Sequence, residues 1–97
     1  CKGSILTTNL EIGNFNHINL NCTVGHDVQF HDYITVYPGV NISGNVRIND
    51  CVEIGTGTKI IQGKEIVKET VIGAGSVVVK DIVENGTYIG VPAKQMK

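Results

Sequence analysis

The sequence predicts an all-β fold, a triangular parallel β-helix of about four coils with a C-terminal extended tail. Three periodic observations predict it. Leu6, Ile12, Ile18, Val24, Phe30, Val36, Ile42, Ile48, Ile54, Ile60, Ile66, Ile72 and Val78 recur every six residues without a break. Two places before them runs a second register of mostly small or β-branched residues, among them Leu10, Cys22, Val28, Ile34, Val40, Val46, Val52, Thr58, Thr70 and Ser76, with Asn16 and Lys64 as exceptions. Three places after them stand the turns. Asn9, Asn21, Asp27, Gly39, Asn45, Gly57, Gly63 and Gly75 tolerate positive φ, whereas Phe15, Tyr33, Cys51 and Glu69 are bulky or unsuited to it.

A period of six is a multiple of the strand repeat and not of 3.6, which excludes a continuous helix. Side chains two apart point the same way along a short strand. Every third turn differs from the other two, so three hexapeptides make one coil and positions eighteen apart stack. His26, Gly44, Gln62 and Lys80 then share one corner, and Pro38, Thr56 and Ala74 another. The coil is expected over residues 1–80. Over 81–97, Asn85-Gly86 reads as a tight turn and Tyr88 to Lys94 as an extended return to Pro92.

Composition agrees. At 97 residues there is room for one domain, and 41% hydrophobic residues with only 5% aromatics suit a thin core of Ile and Val. A net charge of -1 gives no basis for nucleic-acid or membrane-surface binding. No apolar run reaches the roughly 18–20 residues that span a bilayer, and no signal-peptide pattern is visible, so cytoplasm is the expected compartment. Cys1, Cys22 and Cys51, an odd count at wide spacing with no CxxC, read as neither a disulfide framework nor a zinc ribbon, and Cys22 falls in the inward register. Cys1 stands where Met is usual, which suggests a piece of a longer protein.

The units Ile54-Gly55-Thr56-Gly57 and Ile72-Gly73-Ala74-Gly75, with Gly90-Val91-Pro92-Ala93-Lys94, resemble the hexapeptide-repeat acyltransferases. Asn19 to Asp27 and Pro38 to Val46 narrow the likeness to the sialic acid O-acetyltransferase and UDP-amino-sugar N-acetyltransferase family. The resemblance covers nearly the whole chain. It implies a left-handed coil, a homotrimer, and acetyl-CoA in a groove between subunits. It also implies a preceding acceptor-binding domain, absent from these residues.

Acetyl transfer needs a base, a thioester held in line and a stabilised oxyanion. Histidine, with an ordinary pKa of about 6.5, is the natural base. His26 matches the family's catalytic histidine and Asp27 its acidic neighbour, although Asp27 also stands in a column of turn formers. The likeness places acetyl-CoA against Gly44, Thr56 and Ala74, with Lys80 and Lys94 near its phosphates. Gly44 is expected to leave a notch for the thiol end, with backbone N–H groups facing the thioester oxygen. The family often carries a second histidine nine residues after the first; here that place is Thr35, which can donate a hydrogen bond but is no acid at neutral pH. His17 and His31 read more simply as surface or interface residues.

Two other readings remain. A gamma-class carbonic anhydrase binds zinc between subunits of the same helix, but His26 has Thr8 and Gly44 as vertical neighbours and His31 has Gly13 and Asn49. No metal is therefore expected. A purely structural, trimerising coil would not need Gly25-His26-Asp27 or the closing Gly90 to Lys94 segment. The sugar acceptor, and transfer to O or to N, are left open.

Overall fold

The computed structural model describes residues 5, 6, 11–19 and 21–96, and forms a left-handed β-helix measuring 35 × 22 × 20 Å. Cys1, Thr8, Asn9, Leu10 and Leu20, used above, lie outside the described residues. The strands are short because each face of the triangle is only one hexapeptide wide. In chain order they are Ile5–Leu6 (β1), Glu11–Ile12 (β2), His17–Ile18 (β3), Thr23–Val24 (β4) and Gln29–Phe30 (β5). Thr35–Val36 (β6), Asn41–Ile42 (β7), Arg47–Ile48 (β8), Glu53–Ile54 (β9) and Lys59–Ile60 (β10) follow. Glu65–Ile66 (β11), Thr70–Ile72 (β12), Val77–Val78 (β13), Gly86–Ile89 (β14) and Lys94–Gln95 (β15) complete the chain.

Three sheets result, in the orders β1-β4-β7-β10-β13, β11-β8-β5-β2 and β15-β14-β12-β9-β6-β3. Their registers pair Val24 with Ile42, Ile42 with Ile60, and Ile60 with Val78, so residues eighteen apart are vertical neighbours. From Cys22 onward both inward registers are buried apart from Lys64, among them Val24, Val36, Ile48, Ile54 and Ile72, and two places before anchors Val28, Ile34, Val40 and Val52; on the first described coil the anchor Ile12 is exposed and Ile18 partly so. Full burial of such a side chain stabilises by roughly 1.5–3 kcal/mol. The buried polar members of this register are satisfied: Thr58 and Ser76 hydroxyls donate to Gly73 O at 3.1 and 2.7 Å, and Thr70 to Val67 O at 2.8 Å. Asn16 accepts from Ile34 N at 2.8 Å.

The three corners prove alike in backbone conformation. Phe15, Tyr33, Cys51 and Glu69 have φ of 60, 61, 58 and 59°, matching Asp27 at 58° and Asn45 at 60°. The expectation that every third corner avoids the left-handed region is therefore corrected. Hydrogen bonding between coils imposes it. Tyr33 N donates to Asn14 O at 3.1 Å and Glu69 N to Asp50 O at 2.9 Å, as Asn45 N does to His26 O and Gly57 N to Pro38 O. A non-glycine residue in this region costs roughly 1–2 kcal/mol. Phe15 and Tyr33 offset part of that by stacking, with ring centroids 5.2 Å apart and planes at 10°.

The C-terminal expectation is also corrected. The coil does not stop at 80. Ile82 is buried and pairs with Ile66, sixteen residues earlier, and Thr70 pairs with Gly86 at the same offset. One corner is thus two residues short, and the helix continues in a shifted phase. Asn85-Gly86 enters β14 and makes no tight turn; the turn falls at Gly90–Ala93, after which β15 returns antiparallel on β14. Tyr88 donates its hydroxyl to Glu84 O at 2.7 Å, and burial first, then the Glu84 carboxylate, pushes the phenol pKa up.

Ile54→Ala, at a position with no solvent exposure, is expected to lower stability by about 2–5 kcal/mol in urea unfolding. Glu69→Asn should raise it by about 0.5–1 kcal/mol, since Asn tolerates the left-handed region. An unchanged or lower urea midpoint for Glu69→Asn would mean that the Glu69 corner is not strained.

Candidate active site

His26 and Asp27 form the corner between β4 and β5. The ladder requires a left-handed residue at 27, and Asp satisfies it while remaining polar. From that conformation its carboxylate Oδ2 lies 3.0 Å from His26 Nδ1. The two readings of Asp27, turn former and ring partner, hold together. A proton on Nδ1 directed to Asp27 fixes the tautomer and leaves the Nε2 lone pair free. Both side chains remain open to solvent, at 58% and 47% exposure, so a ligand can reach them.

Gly44 lies directly on the next coil, but its role differs from the expected notch. A Cβ at residue 44 would stand 3.1 Å from Cε1 and 3.2 Å from Nε2 of His26. The imidazole itself occupies the space that the missing side chain leaves. Gly25 permits this approach, since a Cβ there would fall 2.6 Å from Gly44 N. The expectation that this backbone faces a thioester oxygen is narrowed too: Asn45 N donates to His26 O at 2.9 Å and Gly63 N to Gly44 O at 3.0 Å.

The second corner, between β6 and β7, carries Pro38, Thr56 and Ala74, as the column predicts. Gly57 N donates to Pro38 O at 3.0 Å and Gly75 N to Thr56 O at 2.8 Å. Thr56 and Ala74 are exposed, and nothing lies within 4 Å of a Cβ built on Gly57 or Gly75, so the outer wall is open along two coils. This corner and the His26 corner border opposite edges of the sheet that holds β4, β7 and β10. One chain does not bring Gly44 together with Thr56 and Ala74.

Thr35 lies on another face, in β6 directly above His17 of β3, and is not beside His26. His17 is exposed. His31 Nδ1 is 3.9 Å from Asp50 Oδ1 on the third corner. Lys80 and Lys94 meet across a cleft of about 220 Å³ that Tyr88 and Pro92 also line. Lys80 sits in the shortened corner, not in strict register above Gln62. Among the described residues no three His, Cys, Asp or Glu side chains gather closely enough to hold a metal ion.

A second cleft, of about 330 Å³, flanks Asp27 and is lined by Asn45, Arg47 and Lys64 among others. The sequence reading missed it. Its only signal was Lys64, a charged residue in an otherwise uncharged register.

No protein-family model matches the chain. It is similar to GDP-perosamine N-acetyltransferase of Escherichia coli O157:H7, with 43% identity over 70 residues, covering 72% of this chain and 31% of the relative. The structure of WeeI from Acinetobacter baumannii AYE superposes with a TM-score of 0.93 at 38% identity, over 97% of this chain and 47% of that one. The acetyltransferase domain of PglB from Neisseria gonorrhoeae FA1090, in complex with acetyl coenzyme A, gives a TM-score of 0.79 at 25% identity, over 97% of this chain and 55% of that one. The chain spans about a third of the length of the curated relatives it matches.

Gly44→Ala is expected to displace the imidazole while leaving the coil folded. Circular dichroism should be unchanged, and the ¹⁵N spectrum of His26 should lose the signature of an Nδ1–H hydrogen bond. An unaltered imidazole spectrum would show that Gly44 does not seat the ring.

Proposed function

The chain belongs to the hexapeptide-repeat acyltransferases, and from that premise we propose that it transfers an acetyl group from acetyl-CoA to an amine or hydroxyl of a sugar, with His26 as general base. The observation that carries this reading is the His26–Asp27 contact at 3.0 Å on an open corner. Acetyl-CoA would supply the electrophilic carbonyl and the thiol leaving group. Asp27 holds the Nδ1 proton. Nε2 takes the proton of the acceptor as its nitrogen or oxygen bonds to the carbonyl carbon. The imidazolium, stabilised by Asp27, then returns that proton to the departing sulfur. The likeness to a GDP-perosamine N-acetyltransferase favours an amino group over a hydroxyl as acceptor.

The residues fit the coenzyme at two places. The open second corner at Thr56 and Ala74 can take an extended pantetheine arm. The Lys80–Lys94 cleft offers two cations for phosphate. Because the second corner lies across a sheet from His26, a complete site needs the first corner of one copy to face the second corner of another. A threefold ring of identical copies does this with closed symmetry, and homotrimer is the assembly proposed. In that arrangement Thr35 of a neighbouring copy is a candidate donor to the thioester oxygen.

His26→Ala should lower acetyl transfer roughly 10²–10⁴-fold, measured by thiol release from acetyl-CoA against nucleotide-linked amino sugars and sialic acids, with the assembly unchanged by light scattering. Turnover equal to the parent's would remove His26 as the base. Ala74→Trp should weaken coenzyme binding at least tenfold in calorimetry; an unaltered affinity would place the coenzyme elsewhere.

A further inference from the structure

We infer that the third corner of the coil is a docking surface for another polypeptide, whose arginine side chain stacks on Tyr33 and pairs with the carboxylate of Asp50. This surface lies outside the acetyl-transfer site and does not depend on that reading.

Phe15 lies between β2 and β3 and Tyr33 between β5 and β6, stacked one below the other on the third corner. They are 77% and 58% exposed, although large aromatic side chains gain most from burial. Neither ring serves the turn: both residues hold positive φ, where glycine or asparagine fits with less strain. Neither serves the core, which is filled from the inward registers. Stacking steadies the pair but leaves both rings in water. Exposed rings of this kind suit the centre of a protein contact, where tyrosine and arginine are enriched. The corner also lies opposite the sheet β1-β4-β7-β10-β13, which the first and second corners border. In the ring proposed above that sheet faces the other copies, so the third corner points outward and stays open.

Charge and shape name the partner's side chain. The corner residues 13–15, 31–33, 49–51 and 67–69 include Asp32, Asp50 and Glu69 against one lysine, Lys68, and one histidine, His31. His31 Nδ1 is 3.9 Å from Asp50 Oδ1. Asp32 and Asp50 occupy the column beside the rings. Asp32 Oδ1 accepts from Asn14 N at 2.7 Å and Asp50 Oδ1 from Asp32 N at 2.9 Å, which fixes both carboxylates and leaves each Oδ2 for an incoming donor. The excess of negative charge calls for a cation. Phe15 covers one face of Tyr33 at 5.2 Å, and above the other face the column carries Cys51, a small and exposed side chain. A planar guanidinium laid on that face continues the stack by one coil, roughly 4.8 Å, and comes level with Asp50, the residue before Cys51. There it meets the ring with its flat face and the carboxylate with paired N–H groups. An ammonium has no plane to stack, and a neutral side chain would cover Asp50 without pairing it.

NMR titration of the chain with a capped Ala-Leu-Arg-Leu-Ala peptide, and with its lysine and citrulline counterparts, tests the surface. The arginine peptide should shift the Tyr33 ring protons and the amides of Asp50 and Cys51, and bind at least fivefold more tightly than either counterpart. Tyr33→Asn and Asp50→Asn should each weaken its binding at least fivefold, with an unchanged circular dichroism spectrum. Asn accepts positive φ at 33, and at 50 its side-chain oxygen still takes Asp32 N, so both variants keep the corner. No shift at Tyr33 with the arginine peptide, equal binding of the lysine or citrulline peptide, or equal binding by either variant would overturn the inference. Tyr33 ring shifts that grow with the concentration of the chain alone would overturn it too, since they would make the corner an interface between copies.

Discussion

The structure depends on one hydrogen-bond geometry, the ladder between coils. Thr23 N donates to Val40 O, Asn41 N to Thr58 O, and Lys59 N to Ser76 O, each seventeen residues on. With that offset fixed, a coil holds eighteen residues and the chain must turn three times within it. A turn in so little chain, with its N–H still directed along the axis, requires a left-handed residue at each corner. The ladder is strong enough in aggregate to hold Phe15, Tyr33, Cys51 and Glu69 there as well as the residues that prefer it. Local propensity yields to a repeated backbone pattern.

What could be read from the sequence divides along the same line. Everything that repeats every six or eighteen residues was legible: the anchors, the inward register, and the neighbours of His26. The third corner was misread because propensity was allowed to decide a backbone conformation that the ladder decides. The C-terminal coil was misread for a different reason. Ile82 and Tyr88 continue the six-residue period two places out of phase, and they pair with Ile66 and Ile72. The signal was present, but strict phase concealed it. The role of Gly44 was beyond reach, because spacing says which residues are adjacent and not which way an imidazole lies.

Asp27 shows how chemistry enters such a fold at little cost. A corner must carry a residue that accepts positive φ, and Asp is one of the few that also carries charge. The same conformation brings its carboxylate to 3.0 Å from the ring of the residue before it. Asn45 and Gly63 satisfy the corner on later coils without adding charge. The dyad therefore arises from a choice among turn formers, and the coil need not be altered to hold it. The adjoining Gly25 and Gly44 serve the same end by allowing the backbone and the ring to approach.

A regular triangular prism has no concave surface. Its inward side chains all belong to a narrow core, and its outward ones stand on flat faces. A ligand can be enclosed only where regularity fails or where another surface is set against it. Regularity fails twice near the C-terminus. The two-residue shortening opens the cleft at Lys64, and the β14–β15 hairpin folds over to make the one between Lys80 and Lys94. The shortening falls at the first corner, and the hairpin lies across the last strand of the adjoining sheet, where Val77 N donates to Gly90 O at 3.0 Å and Ala93 N to Val77 O at 2.8 Å, both on coils that follow His26. From Pro38 to Ala74 the open second corner, by contrast, keeps register and stays flat, so a ligand there needs a facing surface to be enclosed. The irregularities of the coil thus gather at its C-terminal end, on the coils that follow the dyad, while its regular part supplies rigid walls.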